Sequence, residues 1–179
     1  MNAFELTILD FIAKYCHCPF LDWLMPLITR LGDGGIFWIL IAALLLCFPK
    51  TRKTGLSMGL ALLLGFLIGN VFLKNVVARI RPYDVNTGVE LLIARLSDYS
   101  FPSGHTLASF EGAVGLMIRD KRLGIPALVL AVLIAFSRLY LYVHYPSDVL
   151  AGALLGTAIA FLACFLIDRA YKKWGSRAQ

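Results

Sequence analysis

The sequence predicts an all-α membrane protein, a polytopic bundle of five to six spanning helices preceded by amphipathic helices at the N-terminus. Its composition favours this fold class. Hydrophobic residues make up 59% of the 179 positions and charged residues only 16%, whereas soluble domains carry about 25% charged residues. The mean hydropathy of the chain is +0.77. This is not the composition of an ordinary soluble domain.

Residues 1–34 form a distinct first region, because charged residues interrupt the apolar ones every few positions. Apolar residues recur at helical spacing between positions 3 and 13. Such a pattern is typical of amphipathic helices that lie in the membrane interface. Pro19 and Pro26 are expected to break any long helix in this region. We therefore predict interfacial helices over residues 1–34.

Five apolar runs follow, at residues 35–48, 55–73, 105–117, 124–136 and 149–167. With their flanks, several of them reach the roughly 20 residues that a spanning helix needs. They predict a transmembrane domain over residues 35–168 and a basic cytoplasmic tail over residues 169–179. If the amphipathic region inserts, the number of spans becomes six and the N-terminus moves to the cytoplasmic side.

Basic residues cluster at three places that flank the apolar runs. The clusters are Lys50, Arg52 and Lys53; Arg119, Lys121 and Arg122; and Arg169, Lys172, Lys173 and Arg177. The positive-inside rule places all three on the cytoplasmic side. They account for the net charge of +6 without a nucleic-acid partner, so none is expected.

Three segments then place polar residues at the opposite, extracytoplasmic ends of the spans. In the first segment, Lys74 and Arg81 are seven residues apart. On a helix their directions differ by about 20°, so they are expected to form one cationic stripe, and Pro82 is expected to end the helix. Taken alone, basic residues at a helix end also occur simply because they snorkel to the membrane surface.

The second segment runs from Phe101 to His105. Pro102 is expected at the first helical position, which would leave the amides of Ser103, Gly104 and His105 unpaired and favourable for an anion. Ser103 adds a hydroxyl donor, and His105 adds a proton that exchanges near neutral pH. The alternative for this segment alone is a helix cap beside an interfacial histidine.

The third segment contains Arg138, His144 and Asp148. A helix is predicted to begin near Pro146, with His144 just before it and Asp148 in its first turn. From there the carboxylate can reach one imidazole nitrogen and leave the other as a base or nucleophile. The alternative is a capping aspartate beside a surface histidine.

Together the three segments resemble the three-part signature of the type-2 phosphatidic acid phosphatases, the lipid phosphate phosphatases. Every motif position is filled, and the resemblance covers about residues 35–168, so no catalytic role is inferred for the N-terminal residues. The resemblance implies that His144 attacks phosphorus and forms a phosphohistidine. It also implies that His105 protonates the leaving oxygen and later activates water, and that Asp148 orients His144.

The resemblance further implies a phosphate site. Its residues are Lys74, Arg81, Ser103, Gly104 and Arg138. Three fixed cations suit phosphoryl transfer without a metal. The four cysteines are scattered, and Cys16 and Cys18 lack the spacing of a zinc pair, so neither a metal nor another cofactor is expected.

A site at bilayer depth is expected to take a lipid phosphate and to contact membrane lipids. The short chain is similar to bacterial members that hydrolyse undecaprenyl diphosphate at the outer face of the cytoplasmic membrane. Phosphatidylglycerophosphate or phosphatidic acid is the alternative substrate. A non-catalytic lipid-binding or transport protein is the alternative of another class, and the pair His105 and His144 argues against it.

Glu111, two turns below the second motif, suits either helix packing or a polar network. The oligomeric state stays open.

Overall fold

The computed structural model describes residues 2–175, and every regular element in this range is a helix. The elements are α1 (Asn2–Tyr15), α2 (Pro19–Arg30), a 3₁₀ turn (Asp33–Gly35), α3 (Ile36–Cys47), α4 (Arg52–Gly65), a π-helical continuation (Phe66–Leu73), α5 (Lys74–Val77), α6 (Pro82–Val85), α7 (Gly104–Arg119), α8 (Lys121–Tyr140) and α9 (Pro146–Gly175). The predicted all-α fold class is confirmed.

Each predicted apolar run lies largely within a helical stretch of the structure. Within the described residues, three stretches are long and apolar enough to cross a membrane: Arg52–Val85, Lys121–Tyr140 and Pro146–Lys173. A fourth candidate combines α2 with α3, whose axes bend by 42°. Helix α7 has 16 residues, fewer than the roughly 20 that span a bilayer without help from flanking residues. The prediction of five to six spans therefore stays a prediction.

The N-terminal helices are two-sided, as the sequence predicts. Phe4 and Phe11 of α1 and Trp23 of α2 are exposed, whereas Leu9 of α1 and Met25 of α2 are buried. Pro26 lies inside α2 without ending it, so the expectation that Pro26 breaks the helix is wrong. The proline removes one hydrogen bond, but the buried face of α2 packs against the rest of the bundle and holds the helix together.

Helix α7 lies at the centre of the bundle, where it packs against α4, α8 and α9. Two glycines allow α9 to approach it closely. A Cβ at Gly152 would lie 2.8 Å from the Ser103 carbonyl oxygen, and one at Gly156 would lie 2.5 Å from the Leu107 carbonyl oxygen. Small residues bring helices together in this way within membranes. The close approach brings the start of α9 against the start of α7.

The basic clusters meet at one end of the bundle. Asp168 of α9 accepts ion pairs from Lys53 of α4, at 2.6 Å, and from Arg119 of α7, at 2.8 Å. Arg177 lies outside the described residues. The three motif segments lie at the other ends of these helices, in agreement with the one-sided arrangement that the sequence predicts.

Candidate active site

The first motif does not follow one continuous helix. Lys74 opens α5, but Ala78 adopts a left-handed conformation with φ of 45° and ends the helix. Arg81 is extended, and Pro82 begins α6 instead of ending a helix. The predicted helical stripe is therefore wrong, because one left-handed residue redirects the chain. The two cations nevertheless converge on the carboxylate of Asp98.

Asp98 lies in the connection between α6 and α7, a segment without helix. Arg81 donates to one of its carboxylate oxygens at 2.6 Å, and the Lys74 ammonium contacts the other. Burial alone would raise the pKa of Asp98, but the hydrogen bonds and charges of Lys74 and Arg81 outweigh it and hold the pKa at about 2. The two cations therefore already bind one anionic group, the carboxylate of Asp98.

The second motif begins α7 two residues later than predicted. Ser103 is the N-cap and Gly104 the first helical residue, so the placement of Pro102 at the first helical position is wrong. The Ser103 amide donates to the Asp148 carbonyl oxygen at 3.1 Å, which leaves the amides of Gly104 and His105 at the helix start. The Ser103 hydroxyl accepts from Thr106 at 3.0 Å, so its own proton can still be donated.

The His105 ring is held by the turn between α2 and α3. Its Nε2 lies 2.8 Å from Oδ1 of Asp33. Gly32 lies against the ring, since a Cβ there would be 2.6 Å from the imidazole Cδ2. The glycine-rich turn thus gives His105 both a carboxylate partner and the space it occupies.

Arg138 contributes a cation with unused donors. It lies in the last turn of α8 and is 1% exposed. One terminal nitrogen donates to the Thr29 hydroxyl of α2. Within the described part of the chain, its Nε and other terminal nitrogen are buried without a hydrogen-bond partner. Unpaired buried donors cost free energy, and a phosphate is the kind of ligand that a guanidinium binds with two parallel hydrogen bonds.

His144 is buried beside these cations. Its Nε2 lies 3.3 Å from a terminal nitrogen of Arg81, and its Nδ1 lies 3.6 Å from Oδ2 of Asp148. Burial lowers the pKa of His144 to about 3, and although Asp148 raises it, the charges of Arg138 and Arg81 lower it further. The imidazole is therefore neutral near pH 7. With Nδ1 directed at Asp148, the Nε2 lone pair faces the cations.

Asp148 lies in the first turn of α9, as predicted. Its Oδ2 accepts from the Ser100 hydroxyl at 2.5 Å and from the Tyr145 amide at 2.9 Å. Its Oδ1 accepts from Arg79 at 2.5 Å. The carboxylate facing His144 is thus fixed by donors on both oxygens.

Sequence reasoning missed several residues that support the motif side chains. They are Glu5, Thr29, Asp33, Arg79, Asp98 and Ser100. The first three come from the N-terminal region, for which no catalytic role was inferred. In a sequence, the charged and hydroxyl residues of an amphipathic helix look like residues of its solvent-facing side. No local pattern therefore distinguishes a residue that supports the site from one that is merely solvated.

A cavity of about 640 Å³ lies beside α7. Lys74, Asp98 and His105 line it at the end where the motifs meet, and apolar residues of α3 and α4, among them Ile39 and Leu62, also line its walls. It reaches Glu111, six residues or about 9 Å along α7 from His105. Such a cavity is suited to an amphiphile with an anionic head.

Glu111 packs directly against α4. A Cβ at Gly65 would lie 1.6 Å from Glu111 Oε1, so only glycine leaves space for the carboxyl group there. Within the described residues, this oxygen is buried without a hydrogen-bond partner. Of the two sequence-based alternatives, the contact with Gly65 supports helix packing.

Comparisons with known proteins identify the family. Residues 54–172 match the model of the PAP2 superfamily. The chain belongs to the PAP2 superfamily. This confirms the resemblance to the type-2 phosphatidic acid phosphatases and makes the protein a membrane phosphatase.

Two curated PAP2 relatives cover most of the chain. The undecaprenyl-diphosphatase of Sulfolobus acidocaldarius is 38% identical over 85% of this chain and 73% of its own length. The undecaprenyl-diphosphatase BcrC of Bacillus subtilis is 32% identical over 82% of this chain and 75% of its own length. The family match therefore extends well beyond the three short motifs.

Two solved structures share the fold. The PAP2-type phosphatidylglycerolphosphate phosphatase of Bacillus subtilis has a TM-score of 0.76 and 30% identity, over 94% of this chain and 86% of that protein. LpxE of Aquifex aeolicus has a TM-score of 0.73 and 28% identity, over 88% of this chain and 93% of that protein. The bundle is thus the fold of known PAP2 phosphatases.

Proposed function

We propose that this PAP2 phosphatase hydrolyses undecaprenyl diphosphate to undecaprenyl phosphate without a metal ion. One observation carries the reaction: Nε2 of the buried His144 lies 3.3 Å from a terminal nitrogen of Arg81, while its Nδ1 faces the carboxylate of Asp148. The cavity beside α7 supports a lipid substrate, because its walls are largely apolar. The names of two relatives support the choice of lipid.

The proposed reaction has two steps. Nε2 of His144 attacks the terminal phosphorus, the bond to the leaving oxygen breaks, and His105 gives that oxygen a proton. Water then attacks the phosphohistidine, His105 takes its proton, and orthophosphate leaves with the His144 nitrogen restored. Asp148 orients His144 throughout.

Five groups are proposed to bind the phosphoryl oxygens. They are Lys74, Arg81, Arg138, the Ser103 hydroxyl and the Gly104 amide. Asp98 pairs with Lys74 and Arg81, so a phosphate that binds these two cations competes with this carboxylate. Fixed cations stabilise the charge that spreads over the transferring group, which is why a metal is not needed in this scheme.

The site is proposed to face the extracytoplasmic side of the cytoplasmic membrane. Lys53 and Arg119 of the basic clusters both pair with Asp168 at the opposite end of the bundle. The positive-inside rule assigns that end to the cytoplasm, which supports the proposed orientation. Residues 1–34, 35–168 and 169–179 remain the proposed regions, although the first packs onto the site through Glu5, Thr29 and Asp33.

Phosphatidylglycerophosphate is the second candidate substrate, because the phosphatidylglycerolphosphate phosphatase of Bacillus subtilis shares the fold over 94% of this chain. We expect purified protein in one detergent, with excess chelator, to release phosphate fastest from undecaprenyl diphosphate, then from phosphatidylglycerophosphate and phosphatidic acid. Faster turnover of either glycerolipid would favour the second candidate. A requirement for added divalent metal would contradict the metal-free scheme, and no release from any lipid would favour a binding protein.

A further inference from the structure

We propose that Arg79 and Glu5 are positioning residues for the nucleophile, through a chain of alternating charges that runs from Glu5 of α1 through Arg79 to Asp148, whose other oxygen faces His144. The proposal rests on the proposed phosphatase function. Arg79 pairs with Asp148 and Glu5 pairs with Arg79, although Glu5 lies 139 positions before His144 in the chain. Both act through the carboxylate of Asp148.

The two oxygens of Asp148 have separate partners. Oδ2 faces His144 and accepts from Ser100 and the Tyr145 amide. Oδ1 accepts from Arg79 at 2.5 Å. Asp148 is 0% exposed, so removing Arg79 would leave half of a buried carboxylate without its charged partner. Arg79 therefore determines which oxygen faces the imidazole.

Arg79 is itself held on three sides. The nitrogen that contacts Asp148 also donates to the Ser147 hydroxyl at 2.6 Å, and the guanidinium lies 3.9 Å from the centre of the Tyr145 ring. Its other terminal nitrogen donates to Glu5 Oε2 at 2.5 Å. A stacked guanidinium with two carboxylate partners has little freedom to turn.

Glu5 connects α1 to the same point. Its Oε1 accepts from the Ser147 amide at 2.9 Å, in the first turn of α9, where a carboxylate is also favoured by the helix dipole. Glu5 is 8% exposed. One carboxylate thus binds both Arg79 and the start of the helix that carries Asp148.

The left-handed conformation of Ala78 allows Arg79 and Arg81 to reach different partners. After the break, Arg79 extends to α9 whereas Arg81 contacts Asp98 and His144. Neighbouring arginines of one motif therefore serve two sites: Arg81 serves the phosphate and Arg79 serves Asp148.

The first test needs no substrate. The chain has three histidines, so the imidazole of His144 can be followed by NMR in ¹⁵N-histidine-labelled protein. Arg81, Arg138, Ser100 and Asp148 face this ring. In Arg79→Gln the charge of Asp148 is no longer offset, so we expect the pKa of His144 to rise by about one unit. An unchanged titration would overturn the proposal, whether or not the protein is a phosphatase.

The second test is kinetic and takes its controls from another arginine–aspartate ion pair of the protein. Arg95 pairs with Asp84 at 3.1 Å and lies 5.4 Å from the Tyr83 ring centre, so Arg95→Gln and Asp84→Asn are the controls. We expect Arg79→Gln to lower kcat about 10- to 100-fold, the range typical of partners that orient a reacting group. KM should stay within about twofold, because Arg79 does not bind the phosphate.

Glu5→Gln is expected to lower kcat less, and the double variant no further than Arg79→Gln alone, because both act along one path. Arg79→Lys should restore part of the rate, and the controls should keep the wild-type rate. Multiplied losses in the double variant, or losses that follow the melting temperature, would overturn the proposal. Wild-type protein that releases no phosphate would contradict the proposed function instead, and the His144 titration would still decide the positioning role.

Discussion

Replacement of His144 by asparagine is expected to lower phosphate release by about 10,000-fold or more, because asparagine has no nucleophilic nitrogen to attack phosphorus. Asparagine is polar and smaller than histidine, so it should fit the same position without disturbing the packing of the helices. The rate of orthophosphate release from a lipid phosphate in detergent measures the effect, with the melting temperature as a check on folding.

His17→Asn is the matched control for this variant. His17 stacks on Tyr140 and pairs with Asp22 at 3.1 Å, outside the motif residues, and its loss should leave the rate within about twofold. A folded His144→Asn protein that keeps more than about a tenth of the wild-type rate would contradict a nucleophilic role.

Replacement of Arg138 by lysine is expected to lower kcat/KM by about 100- to 1,000-fold, although the charge is kept. Lysine lacks the planar fork, and the two buried nitrogens of Arg138 without partners are the donors we assign to the phosphate. Competitive inhibition by orthophosphate should weaken in parallel, because the same donors bind the product.

Arg95→Lys serves as the control for Arg138→Lys, since Arg95 is an exposed arginine that pairs with the Asp84 carboxylate at 3.1 Å. Its kinetics should match those of the wild type. If Arg138→Lys bound orthophosphate as tightly as the wild type, Arg138 would not be part of the phosphate site.

The sequence was sufficient to predict the fold class and, through the three motifs, the family. Long apolar runs can cross a bilayer only when their backbone groups are hydrogen-bonded within the protein, so such runs predict spanning helices. The start of α9 at Pro146 and the place of Asp148 in its first turn also followed from local rules. These features depend on residues close together in the chain.

Features that depend on one backbone conformation or on distant contacts could not be predicted. Nothing in the residue type of Ala78 indicates a left-handed conformation, since alanine favours the helix. Asp98 and Glu5 reach the site only because the connection before α7 and helix α1 fold back onto the bundle. A carboxylate on such a segment looks the same in sequence whether it is solvated or paired with a buried arginine.

In the proposed reaction a neutral His144, placed among fixed cations, takes the phosphoryl group. The decisive experiment is rapid mixing with a lipid phosphate that carries ³²P in its terminal group, followed by an alkaline quench and peptide mapping. We expect an acid-labile, base-stable label on the peptide that contains His144, and no such label in His144→Asn. Label on another residue, or release of orthophosphate in the first turnover with no label on the protein, would contradict it.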